Sequence, residues 1–295
     1  MNKHKASIIV IAAGIFWGAM GLFVNELSAA GLTSMQIAAV RMLGSALIFT
    51  TVLLIKDPKL LKIRLRDIWM FIGTGFVSTT LFCVCYFDTV VKSESSIAVV
   101  LLYTSPIFVM LMSLLFFKEK ITLRKIAALV MTFVGCILVA GILQSDKPLS
   151  PLVLLTGIGS GFFYALYSIF GKFALEKYHS STVTAYTFLI SALPLSLLGE
   201  LPKTAVTVAA NPTILLLILG ICVICTVMPY FLYTYGLSGM ESGRAAILVA
   251  VEPLVGSVIG ILFYNESHDL LKILGILLIL SAIIVLNIAP KKKEK

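Results

Sequence analysis

The sequence predicts an all-α integral membrane protein with ten transmembrane helices arranged as two inverted five-helix repeats. Three observations carry this expectation: the composition, the spacing of the apolar runs, and a self-similarity at one fixed offset. Of the 295 residues, 59% are hydrophobic and only 13% charged, and the mean hydropathy is +1.06. That is more apolar surface than one water-soluble core of this length buries.

A spanning helix needs about 20 mostly apolar residues to cross a hydrocarbon layer of about 30 Å. By that rule α1 lies near residues 7–27, α2 34–55, α3 68–91, α4 95–117 and α5 123–142. The second set is α6 near 151–173, α7 181–199, α8 212–236, α9 243–264 and α10 269–289. The breaks at 31–34, 56–58, 92–94, 144–148, 179–181, 201–203 and 265–269 carry turn residues. Lys3, His4 and Lys5 precede α1 and Ser28, Ala29 and Ala30 follow it, which resembles a secretory signal. Because α1 takes part in the internal repeat, it is expected to be retained as a span.

Orientation follows from the basic residues between spans. With a cytoplasmic N-terminus, eighteen Lys and Arg fall on the inner side and four (Lys92, Lys147, Lys203 and Lys272) on the outer side. This asymmetry predicts a multi-pass protein of the cytoplasmic membrane with both termini inside and a basic cytoplasmic tail at 290–295. It also accounts for the net charge of +9, so no nucleic-acid partner is expected.

Displaced by 147 residues, the chain matches itself without a gap. YTSPIFVMLMSLLFFKE at 103–119 falls on AVEPLVGSVIGILFYNE at 250–266, placing Pro106 on Pro253, Leu115 on Leu262, Phe116 on Phe263 and Glu119 on Glu266. At the same offset Tyr86 meets Tyr233, Gly14 meets Gly161 and Phe23 meets Phe170. A fixed period of this kind marks a duplication, with one five-helix repeat in 1–147 and the other in 148–289. Five is odd, so the second copy enters the membrane from the opposite side. Inverted repeats place a solute site near the midplane between the halves.

Ionisable and helix-breaking residues inside the spans are the candidates for function. Pro106 and Pro253 lack the N–H that bonds four residues back, which frees the carbonyls of Leu102 and Val249 near the midplane. Such groups persist only where protein or a wet cavity satisfies them. Glu252 lies about 14 Å into α9 at 1.5 Å per residue, where an unpaired charge costs several kcal/mol. Its expected role is to bind a proton or a solute amine; the alternative is a carboxylate that only bonds neighbouring helices. The first repeat has Ser105 in its place.

Arg41 lies about 10 Å below the outer surface. It either partners a buried charge, with Glu252 as one candidate, or extends its stem to the interface. Glu119 and Glu266, with Glu26 and Asp88, read as local caps or pairs.

Other chemistry is poorly served. His4, His179 and His268 fall in tails or loops, and no glycine loop for phosphate is present. Cys222 and Cys225 form a CxxC inside an apolar helix without nearby His, Asp or Glu, and the five cysteines imply no disulfide framework. No enzyme activity, cofactor or metal site is expected.

Trp17-Gly18 in α1, Arg41 in α2, a mid-helix proline followed by Glu119 in α4, and Glu252-Pro253 followed by Glu266 in α9 resemble the drug/metabolite transporter superfamily. The likeness is to its EamA-like ten-helix members and runs from about residue 7 to 289. It implies a 5+5 bundle, a central cavity lined by α1, α3, α4, α6, α8 and α9, and export of metabolites, amino acids or drugs, often against a proton gradient. Trp17, Tyr86, Tyr103, Tyr164, Tyr167, Tyr230 and Tyr233 lie on those helices. The resemblance places them around a cavity suited to organic solutes, while tyrosines at span ends also build interfacial belts. Two positions break the symmetry: Tyr164 stands opposite Trp17, and Phe188 opposite Arg41.

The expected function is therefore secondary active transport of small organic solutes by alternating access, with proton coupling. An uncoupled permease of the same fold is the alternative, and a receptor or structural membrane protein is a different class that has no need of inverted halves. Partners are a small organic solute, the lipid bilayer and, where transport is coupled, protons; a homodimer stays open.

Overall fold

The computed structural model describes residues 2–93, 95–142, 150–209, 211–264 and 270–287. The expectations for Glu266, His268, Lys147, the breaks at 144–148 and 265–269, and the tail at 290–295 lie outside these residues.

Among the described residues, ten helices are long and apolar enough to cross a membrane: α1 His4–Ala29, α2 Ser34–Lys56, α3 Leu65–Lys92, α4 Ser95–Phe117, α5 Leu123–Ala140, α6 Pro151–Leu175, α7 Ser180–Leu198, α8 Pro212–Leu237, α9 Ser242–Tyr264 and α10 Leu270–Asn287. Their ends follow the chemistry of the chain. Thr33 and Gln36 form a reciprocal capping box at the start of α2, with the Thr33 N–H donating to Gln36 Oε1 at 2.9 Å and the Gln36 N–H donating to Thr33 Oγ1 at 3.3 Å. Thr122, Ser150 and Asn211 cap α5, α6 and α8. Lys118 and Gly141, both in the left-handed region, end α4 and α5.

The halves interlock. α2 packs along α7 and α5 along α10, each helix against its own repeat mate, while α1 packs on α8 and α6 on α3, a second pair of contacts exchanged by the repeat. α9 lies against α1, and α4 against α6, in the same relation. Glycine permits the closest of these approaches. A Cβ on Gly14 would stand 2.8 Å from the carbonyl oxygen of Val249, and one on Gly161 would stand 3.0 Å and 3.1 Å from those of Leu101 and Leu102. The outer surface keeps large apolar side chains such as Leu47, Ile55, Leu115, Leu197, Leu216 and Leu262 exposed, as lipid-facing positions require.

Four spans are interrupted at positions related by the repeat. α4 divides into Ser95–Leu102 and Ser105–Phe117, and α9 into Ser242–Leu248 and Val251–Tyr264. The breaks fall just ahead of Pro106 and Pro253. The Val249 carbonyl is not left free, as proline chemistry alone predicts, because the broken turn brings the Glu252 N–H to it at 3.0 Å. α3 and α8 carry π-helical turns at Gly73–Thr80 and Val223–Val227. Their widened turns are bridged by threonine hydroxyls, with Thr79 Oγ1 donating to the Thr74 carbonyl and Thr226 Oγ1 to the Ile221 carbonyl, both at 2.9 Å. Thr79 and Thr226 are themselves 147 residues apart.

One expected break is a helix instead. Leu201–Ala209 forms a short helix between α7 and α8. Proline near a helix start loses no needed N–H, and Thr204 Oγ1 donates back to the Gly199 carbonyl at 2.9 Å.

Candidate functional site

A cavity of about 330 Å³ lies between the halves, bounded by α1, α2, α3, α4, α6, α8 and α9. It holds Trp17, Arg41, Tyr86, Tyr103, Tyr164, Tyr230, Glu252 and Pro253 together. Residues from distant parts of the sequence therefore share one space. The wall also includes α2, which was not among the lining helices implied by resemblance.

Each half contributes a different chemistry. α2 brings Arg41, 6% exposed, because the 34–41 end of the helix packs over the turn that closes α1. α9 brings Glu252 on the first turn after its break. The Tyr103 hydroxyl, at the equivalent break of α4, lies next to the Glu252 carboxylate. Symmetric interruptions in α4 and α9 thus set a tyrosine and a carboxylate side by side.

Aromatic rings make most of the wall. Phe82 stands between Tyr86 and Tyr164, with ring centroids 5.6 Å and 5.3 Å away. Sequence reasoning missed Phe82, although its place four residues before Tyr86 puts both on one face of α3. Trp17 meets Tyr230 edge-on at 5.3 Å and Tyr233 at 5.6 Å, and Tyr167 meets the same two tyrosines at 5.3 Å and 6.1 Å. Tyr167 and Tyr233 line only a small adjoining space of about 20 Å³. Their hydroxyls are engaged with Thr234 and Ser168, each at 2.7 Å. This cluster forms the floor of the cavity. In the other direction the lining continues to Val24 and Ser34 at the α1–α2 end of the bundle.

Beyond the floor, side chains at three spans, α4, α5 and α6, hold the α8–α9 turn. Glu119, just past the end of α4, accepts from the backbone N–H groups of Ser242 at 2.7 Å and Gly243 at 3.2 Å. Lys125 pairs with Glu241 at 2.8 Å. Lys172 donates to the Leu237 carbonyl at the end of α8, at 3.1 Å, and to the Met240 carbonyl in the turn, at 2.6 Å. Glu119 therefore caps a helix of the opposite half, where a local partner was expected. Asp88 does pair locally, with Lys92 at 2.6 Å.

Pro106 is buried away from the cavity, so only one of the two prolines reaches it. Cys222 packs against α2, with Ser45 Oγ donating to its carbonyl at 3.2 Å, and among the described residues no group of His, Cys, Asp and Glu could hold a metal ion.

The model of the EamA-like transporter family matches this chain twice, over residues 4–141 and 151–288. The chain belongs to the EamA-like transporter family. The two matches correspond to the two five-helix repeats. The chain is 26% identical to the uncharacterized transporter YwfM of Bacillus subtilis (strain 168), over 100% of this chain and 97% of that one. It is 23% identical to the uncharacterized inner membrane transporter YicL of Salmonella typhimurium, over 100% and 99% of the two chains. An uncharacterized transporter of Archaeoglobus fulgidus is 23% identical over 95% of this chain and 98% of its own. A solved crystal structure superposes with a TM-score of 0.79 over 97% of each chain at 12% identity, which shows the shared fold. Within this family of multi-pass membrane transporters, the cavity between the repeats is the candidate site.

Proposed function

We propose that this EamA-like protein exports small organic solutes across the cytoplasmic membrane by alternating access, with both termini in the cytoplasm. The observation that carries the reading is the asymmetry of the cavity. It runs from Glu252 to the α1–α2 end, while aromatic rings and the Glu119 clasp close the way to the opposite face. In the orientation argued from the basic residues, this is the outward-facing state. Rocking one half against the other would release the clasp and present the same residues to the cytoplasm.

Glu252 is the group that couples the cycle. It is a carboxylate among aromatic rings in a space that exchanges its contact with water during transport, so it gains and loses a proton or a solute amine as access alternates. Replacing it by glutamine keeps the shape and the hydrogen bonding but removes titration. Flux in proteoliposomes under imposed pH gradients tests the reading. The expected result is that Glu252→Gln loses acceleration by a proton gradient. A folded Glu252→Gln protein with unchanged flux and unchanged pH dependence contradicts it.

A further inference from the structure

We propose that segment 56–69, the turn from α2 into α3, is a docking surface for an anionic phospholipid of the adjoining leaflet. The lipid phosphate lies among Lys62, Arg64 and Arg66, and the acyl chains run along Leu65 and Trp69. The surface is remote from the cavity, and the inference does not depend on the solute or on transport.

The opposite repeat holds this segment in place. Thr182 Oγ1 donates to the Leu60 carbonyl at 2.7 Å and the Tyr186 hydroxyl to the Leu61 carbonyl at 2.8 Å. The Tyr178 hydroxyl accepts the Arg64 N–H at 3.1 Å and donates to Asp67 Oδ2 at 2.8 Å. With its backbone groups committed to α7 and the α6–α7 turn, the segment presents its side chains in a fixed pattern. Lys62 and Arg64 are extended, so successive side chains point to opposite sides. Ile63 turns inward to pack with Met70, Phe71 and Val183, and Lys62 and Arg64 stay exposed.

The exposed charge is of one sign. Lys56, Lys59, Lys62, Arg64 and Arg66 are all exposed, and among the described residues none of them forms a salt bridge. The acids of the segment are already engaged: Asp67 pairs with Lys177 at 2.6 Å, and Asp57 accepts the Lys59 N–H at 3.1 Å. The fold does not require this cluster. In the other repeat the corresponding connection between α7 and α8 carries Lys203, which pairs with Glu200 at 2.8 Å.

Apolar surface begins beside the cations. Leu65, between two arginines, is 83% exposed, and Trp69, one turn further into α3, is 46% exposed. The Trp69 ring is fixed against Phe170 and Phe173, with centroids 6.1 Å and 5.8 Å away. Tryptophan and flanking basic residues mark the level of the headgroups. The occupant therefore carries an anion and a hydrocarbon chain on one molecule. A zwitterionic phospholipid would add its own ammonium to the cluster, whereas an anionic one offsets it.

Trp69 is the probe, because the other tryptophan, Trp17, is only 7% exposed. The full-length protein is reconstituted in phosphatidylcholine vesicles containing increasing fractions of brominated phosphatidylglycerol or brominated phosphatidylcholine with the same acyl chains. Bromine quenches tryptophan fluorescence at contact. Half-maximal quenching is expected at a mole fraction about fivefold lower, or more, for phosphatidylglycerol, since neighbouring cations act together on an anionic headgroup. Replacing Lys62, Arg64 and Arg66 together by glutamine should bring the ratio towards one. Lys203→Gln should leave it unchanged, as should replacing Arg64 and Arg66 by lysine. Lys62→Gln alone, which should lower the ratio in part, serves where the triple variant fails to fold. Equal quenching by the two lipids in the wild type overturns the inference, and so does an undiminished ratio in the folded triple variant. Excess inorganic phosphate should leave the preference intact; its loss would point to a soluble anion and equally overturn the assignment to lipid.

Discussion

The Glu119 carboxylate, at the end of α4, accepts the backbone N–H of Ser242 at 2.7 Å, joining the two repeats across 123 residues of chain. The N-cap residue of α9, Glu241, makes no side-chain cap of its own, so the opposite half supplies one. Glu119→Ala should leave two buried donors unsatisfied and cost about 1–3 kcal/mol for each. The variant should melt earlier in detergent, and Glu119→Gln, which retains one acceptor oxygen, should lose less. Equal Tm values for wild type and Glu119→Ala would remove the clasp from the account.

Gly14 is expected to tolerate no side chain. A Cβ there meets the Val249 carbonyl at 2.8 Å, and backbone at the break of α9 has little room to yield. Gly14→Val should destabilise by about 1–3 kcal/mol through overpacking and push α9 away from α1. At Gly159 the nearest atom to an added Cβ is Cys85 Sγ at 3.6 Å, ordinary contact, so Gly159→Ala should melt as wild type. A Gly14→Val protein as stable and as active as wild type contradicts the packing argument.

The orientation makes a simple labelling prediction. In a background without the native cysteines, single cysteines at Gly31 and Lys203 should react with an impermeant thiol reagent in intact cells. Those at Lys62 and Lys120 should react only after permeabilisation. The reverse pattern would invert the assignment and make this conformation inward-facing.

Much of this fold was legible in the sequence, for a physical reason. Hydrocarbon thickness fixes the length of an apolar run, so every span matched its expected limits to within three residues. The repeat was legible because identical spacing survived in both halves, and the proline positions announced the breaks in α4 and α9. What escaped depends on partners that no local pattern names. The π-helical turns of α3 and α8 are completed by threonines, residues common anywhere in membrane helices. Glu119 was visible as a capping carboxylate, but the helix it caps starts at Ser242. Arg41 was visible as an anomaly, and only the packing of α2 over the cavity shows that its Nη1 donates to the Met20 sulfur at 3.6 Å. Pro106 and Pro253 are equivalent in sequence, yet in this conformation Pro253 lines the cavity and Pro106 is buried in α4 outside it.

The central claim is that one cavity is opened alternately to the two faces, and locking the closed face tests it most directly. A Cβ added at Gly243 would stand 3.6 Å from Met110 Cα and 3.7 Å from Met110 Cγ, so α4 and α9 approach closely enough here to attempt an engineered disulfide. Met110→Cys with Gly243→Cys, in a background without the native cysteines, should be reconstituted in proteoliposomes with the solute that most raises the Tm of the wild-type protein. Oxidation should abolish flux while leaving binding intact, and reduction should restore flux. Undiminished flux with the crosslink fully formed would contradict the account.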